Sequence, residues 1–129
     1  MKLSTFAQIA LTLVVAFILP AYADDTAIKI SMVALIAAPQ KLDGKLISTA
    51  GFLRLEFEGD SIYFNREDSK NRIEKNGLWI TTNEEINARR NELNDKYVLI
   101  EGVFDAHNHG HMGLWSGAIT DIRRLVPYQ

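Results

Sequence analysis

Asp43-Gly44-Lys45-Leu46-Ile47-Ser48-Thr49-Ala50-Gly51-Phe52-Leu53 is echoed further along the chain by Asn94-Asp95-Lys96-Tyr97-Val98-Leu99-Ile100-Glu101-Gly102-Val103-Phe104. Each copy runs from a turn to a lysine, then an apolar pair, then a glycine six residues after the lysine and two more apolar residues. Two copies are too few for a solenoid, which stacks at least about three units. They read instead as two long strands, each bent at a central glycine that marks a bulge or a sharp bend. Small closed barrels need such bends.

The segments around this pair complete the pattern. The first long strand covers 46–57 and turns at Glu58-Gly59-Asp60 into a short strand over 61–64, which makes a hairpin. A polar stretch over 65–77 reads as a surface loop with a helical turn, closed by Asn76-Gly77 ahead of a short strand at 78–81. Thr82 or Asn83 can cap a helix that begins at Glu84 and ends near Leu93, with two acids in its first turn where the helix dipole favours them. The second long strand covers 96–105, a Gly- and His-rich loop covers 106–116, and a last strand covers 118–126. Near the start, Ser31 is a good N-cap for a two-turn helix over 32–38, with Val33, Ile36 and Ala37 on its buried side. Five strands with a helix between the third and the fourth is the order of an OB-fold barrel. The expected fold is therefore mainly β: a small five-stranded OB-like barrel with one or two short helices. Another small barrel, or an open antiparallel α+β sheet, fits the same order less well.

Composition bounds what such a barrel does. The chain has 129 residues, 23% charged and 47% hydrophobic, which suits one globular domain. Residues 1–23 read as a secretory signal peptide: Lys2, an apolar run from Phe6 to Leu19, then Ala21-Tyr22-Ala23 with small residues at the cleavage positions. The expected mature domain is 24–129, exported to the periplasm or beyond, with no membrane span after cleavage. The chain has no cysteine, so disulfides, Cys-zinc sites and thiol catalysis are excluded. Loss of the leader removes Lys2 and leaves thirteen basic against sixteen acidic residues, a net charge of −3. An acidic surface disfavours nucleic acid, whose affinity comes mainly from clustered Lys and Arg.

The motifs Leu53-Arg54-Leu55-Glu56-Phe57-Glu58-Gly59, Tyr63, Glu67-Asp68 and Lys75-Asn76-Gly77-Leu78-Trp79 make one half of a wider pattern. Glu101-Gly102-Val103-Phe104-Asp105 with Gly110-His111-Met112-Gly113 and Ser116-Gly117 makes the other. Together they resemble a group of uncharacterised exported bacterial proteins with an OB-fold-like domain. The resemblance spans most of the mature chain and implies that fold, but no activity. The pattern includes the histidine at 111 and not those at 107 and 109.

Three sets of residues carry candidate chemistry. His107, His109 and His111 alternate, so an extended segment would put three imidazoles on one side, a set suited to Zn²⁺ or Cu²⁺ with Asp105 as a further ligand. Glu56 and Glu58 share one side of a strand and pose as an acid–base pair, although a charged strand edge also guards against aggregation. Tyr63, Trp79, Trp115 and Tyr128 are the candidates for an aromatic binding face; Tyr63 and Trp79 read more readily as core, and Trp115, between Gly113 and Gly117, is the residue expected to be exposed. No nucleophile elbow, His-Glu-x-x-His helix or phosphate-cradling glycine loop is present, and Ser116 near Asp105 and His107 makes no convincing triad. The leading expectation is a non-enzymatic binding module. Its ligand-binding residues would be Trp115, His111, Asp105 and Met112, and its ligand an envelope protein, peptide or glycan. A periplasmic metal-binding protein is the alternative, and a hydrolase of envelope polymers a weaker one.

Overall fold

The computed structural model describes residues 26–129. The leader read at 1–23 lies outside them.

Two extended strands decide the architecture. β2 (Leu46–Arg54) and β5 (Lys96–Asp105) pair antiparallel over eight residues, from Leu46 opposite Val103 to Leu53 opposite Lys96. These are the two echoed segments. Along β5 the buried positions alternate as Val98, Ile100, Gly102 and Phe104, the period of a half-buried strand. β3 (Ser61–Tyr63) folds back on β2, and β4 (Gly77–Ile80) pairs antiparallel with β3. β6 (Ala118–Pro127) lies parallel to β4, with Trp79 opposite Ala118, and antiparallel to β5. The circuit β2-β3-β4-β6-β5-β2 closes, so five strands form a barrel with the connectivity of an OB-fold. A two-residue strand, β1 (Ile28–Lys29), joins the open edge of β2 in parallel.

Both echoed glycines permit close approach, by different routes. A Cβ at Gly51 would sit 2.6 Å from the Tyr63 carbonyl oxygen, where β3 crosses β2, yet the register with β5 runs unbroken there. A Cβ at Gly102 would sit 2.7 Å from the Thr120 carbonyl, and the pairing with β6 shifts between Glu101 and Val103. The bulge is therefore at Gly102 alone. The barrel is filled by Ile47, Leu53, Ile62, Leu78, Ile100 and Ile119, none more than 1% exposed. Burying each of these side chains contributes about 1.5–3 kcal/mol.

The helices close the ends. α1 (Met32–Ala37) is capped as expected, with Ala34 N–H donating to Ser31 Oγ at 3.2 Å. Its buried face is corrected: Met32 and Leu35 go inward while Val33 is 54% exposed. The reason is its entry angle. Ile30 N–H donates to the Ser48 carbonyl at 3.0 Å, so β1 holds the chain against β2 until just before the cap and turns the 32/35 pair onto the core. α2 (Arg66–Lys70) lies outside β2 and is capped by Asn65 Oδ1. The helix expected over 84–93 breaks at Arg89 into α3 (Glu84–Ala88), capped by Asn83, and α4 (Arg90–Leu93), burying Ile86 and Leu93. Arg89 at the break grips Glu92 at 3.0 Å and donates to the Leu125 carbonyl at 3.3 Å, which ties the pair of helices to β6. Strand β2 also ends at Arg54 rather than at 57, because the Asn94 side chain takes over the Leu55 N–H at 2.7 Å.

Candidate functional site

In a barrel of this connectivity, the turn between the first two barrel strands and the loop between the last two meet at one mouth, where OB-folds take ligands. Here these are the turn 55–60 and the loop 106–117. They enclose a cleft of about 460 Å³ whose walls include Phe57, Glu58, His111 and Leu114, with Trp115 at its floor.

Loop 106–117 is built by its own polar side chains. Asp105 Oδ1 accepts the N–H groups of His107 at 2.9 Å and Asn108 at 3.1 Å, an Asx turn. Asn108 Oδ1 accepts Gly110 N–H at 3.0 Å, and Asp43 Oδ1 accepts Ala106 N–H at 2.9 Å. Ser116 Oγ donates to the Lys75 carbonyl at 2.6 Å and ties the loop to the segment before β4. Gly110, at φ 68°, lies flat on Trp79, where a Cβ would meet the indole at 2.7 Å.

This construction corrects the reading of Trp115. It is 4% exposed, packed edge-on against Trp79 with centroids 5.1 Å apart and planes at 66°. The glycines that flank it do not lift it into solvent. A Cβ at Gly117 would meet the Phe104 ring at 2.9 Å, so the missing side chain lets the loop fold down onto the barrel and carry the indole with it. The indole Nε1 is buried without a well-formed hydrogen bond, and the Tyr63 hydroxyl is its near polar neighbour. Tyr63 is itself 1% exposed, and its burial pushes the phenol above the ordinary value.

The three histidines take different partners. His107 Nε2 lies 3.3 Å from Asp43 Oδ2. His109 Nδ1 donates to the Trp115 carbonyl at 2.8 Å. His111 Nε2 lies 3.4 Å from Glu58 Oε2, across the cleft. The segment turns at Gly110 instead of extending, and among the described residues no group of three or more His, Cys, Asp or Glu is placed to hold a metal ion. Asp105 Oδ1 is taken up by the loop backbone. Glu56 and Glu58 do not stand together either. Glu56 is gripped by Arg54 at 3.3 Å and Arg72 at 3.4 Å, while Glu58, at φ 53°, turns toward His111.

The mouth is more apolar than its sequence suggests. Phe57, at 89%, and Met112, at 80%, are the most exposed large apolar side chains among the described residues, and Leu114 joins them. Met112 was legible as a loop residue. Phe57 was hidden, because an aromatic beside Leu55 reads as the end of a strand. Its neighbours Glu56, Glu58 and Gly59 were the available signal that it stands on a turn. Among protein-family models, curated proteins and solved structures, none matches this chain.

Proposed function

We propose that this protein is an exported, non-enzymatic binding module. It grips a peptide, or a peptide segment of an envelope protein, in the mouth between turn 55–60 and loop 106–117. The observation that carries this reading is the exposure of Phe57 and Leu114, which line one cleft from two different loops, with Met112 exposed on the same loop as Leu114. Water-exposed apolar side chains cost nothing in an unstructured tail, but here a hydrogen-bonded loop and a tight turn hold them out. Rigid presentation lowers the ordering cost of binding, and clustered apolar exposure marks interaction surface. Leu114 extends the anchor, and the His111–Glu58 pair at the rim supplies polar contacts around it. Phe and Met are typical of interface cores, and the acidic rim disfavours a polyanion at this mouth.

Panning a random peptide library on the immobilised protein tests this. The expected result is enrichment of peptides with an apolar anchor, whose affinity falls at least about tenfold with Phe57→Asp or Met112→Asp and is unchanged by Tyr128→Asp. Tyr128, 61% exposed, lies away from the mouth at the chain end. Peptides that bind all three variants equally well would refute the assignment of the mouth.

A further inference from the structure

A second concavity, of about 380 Å³, lies on the barrel's outer flank between β2 and α2. It is cationic in a protein whose described surface is otherwise balanced toward acid. Arg54 and Arg72 come from its β2 side and from the chain after α2, and Arg66 and Lys70 come from α2 itself. Glu56 and Asp95 are the two acids of its lining, so four cations face two carboxylates and leave a formal surplus of +2.

The pairing is uneven. Arg54 donates to Asp95 Oδ1 at 2.6 Å and to Glu56 Oε2 at 3.3 Å. Arg72 lies 3.4 Å from Glu56 Oε1. Both acids are therefore spent on holding two guanidiniums in place. Arg66 and Lys70 make no ion pair with a described carboxylate. Arg66 is instead laid over the Phe52 ring, 5.4 Å from its centroid, and its backbone N–H donates to the Tyr97 hydroxyl at 3.2 Å. Phe52 in turn packs edge-on to Tyr97 at 5.3 Å. An aromatic platform thus orients one unpaired cation beside a second, with two fixed guanidiniums opposite. Arginine forks match the oxygens of a tetrahedral oxyanion, and a phosphate monoester carries about −1.5 to −2 at pH 7, which matches the surplus.

We propose that this flank pocket is a binding site for a dianionic phosphoryl group, held by Arg66 and Lys70 against the preset Arg54 and Arg72. It shares the Glu56 and Arg72 wall with the mouth but does not depend on the peptide reading. The group can belong to a small soluble phosphomonoester or to a monoester lipid headgroup. Titration calorimetry of the protein with glycerol 3-phosphate and with inorganic phosphate reads the first source. Co-sedimentation with phosphatidylcholine vesicles carrying phosphatidic acid reads the second. Saturable one-to-one binding is expected in at least one arm. Arg66→Gln and Lys70→Gln, both at exposed positions, should each weaken it about tenfold or more in variants that circular dichroism shows to be folded, while Arg124→Gln on β6 and Met112→Asp on loop 106–117 leave it unchanged. Absence of saturable binding in both arms, or binding equally strong in the Arg66 and Lys70 variants, would overturn the proposal.

Discussion

Replacing Trp115 by Ala should unfold much of what this loop achieves. A buried tryptophan removes on the order of 150–250 Å² from water, and at about 25 cal/mol per Å² its loss costs about 4–6 kcal/mol. One relief offsets part of this: the buried indole N–H has no well-formed partner, a penalty of about 1–3 kcal/mol that the substitution removes. The net expectation is about 3 kcal/mol of destabilisation, consistent with large-to-small core substitutions. For a domain of this size that lowers Tm by roughly 12 °C or more. Trp115→Phe, which keeps an aromatic edge toward Trp79 and deletes the orphan donor, should cost less than half as much. Urea unfolding read by circular dichroism measures both, and Trp79, the other of the two tryptophans, gives an independent fluorescence signal in each variant. A Trp115→Ala protein within about 1 kcal/mol of the parent would show that the indole is not a core residue in solution. It would also return Trp115 to the surface role its flanking glycines suggest.

Three other outcomes follow from the same geometry. Gly51→Ala should destabilise by about 2 kcal/mol or more, because the new Cβ meets the Tyr63 carbonyl at 2.6 Å and backbone cannot yield as a side chain does; chemical denaturation checks it, and a neutral effect would mean the β2–β3 crossing is looser than it is here. The Tyr63 phenol, raised by burial, contributes stability that is complete below its unfolded value of about 10 and is lost as pH rises through the folded value; Tyr63→Phe should therefore flatten the alkaline end of the stability–pH curve above about pH 10, and an unchanged curve would contradict the burial. Zn²⁺ or Cu²⁺ should raise the melting temperature no more than expected from binding to a free peptide of residues 105–117, since the three imidazoles engage three separate partners; a saturable rise abolished by replacing His107, His109 and His111 together would establish the metal reading instead.

The barrel was legible because β5 obeys period two and β2, its partner, repeats the same turn-lysine-glycine pattern. β5 appears in the sequence with the bounds it has in the structure, and Ser31 and Asn83 mark their helix starts. The helix face was not, because α1 has apolar residues at 32, 33, 35 and 36, and only a strand-to-strand hydrogen bond upstream decides which pair turns inward. Trp115 failed for a related reason. Glycine beside an aromatic is compatible with a loop that stands away from the barrel and with one that lies on it, and the choice depends on Phe104 and Trp79, which are distant in sequence. The histidine spacing suggested an extended ladder, but Gly110 in the left-handed region breaks the alternation on which that ladder relies. The flank pocket was invisible for the opposite reason. Its cations are scattered over 54–72 among acids and stand together only once α2 docks on β2.

Glu56 explains how two unlike surfaces coexist on so small a barrel. It lines both the mouth and the flank pocket, and so does Arg72. A lone carboxylate there would repel an anion on one side and would leave an unpaired charge beside Phe57 and Leu114 on the other. Held between Arg54 and Arg72, its charge is neutralised locally, so the apolar anchors of the mouth meet a polar but balanced wall. The same two bonds fix the guanidiniums on the flank side. The wall is therefore shared without coupling the contents of the two concavities through charge. Of the two contacts, Arg54–Glu56 at 3.3 Å is part-buried while Arg72 is 66% exposed at 3.4 Å, so the Arg54 side holds the wall more firmly than the screened Arg72 side.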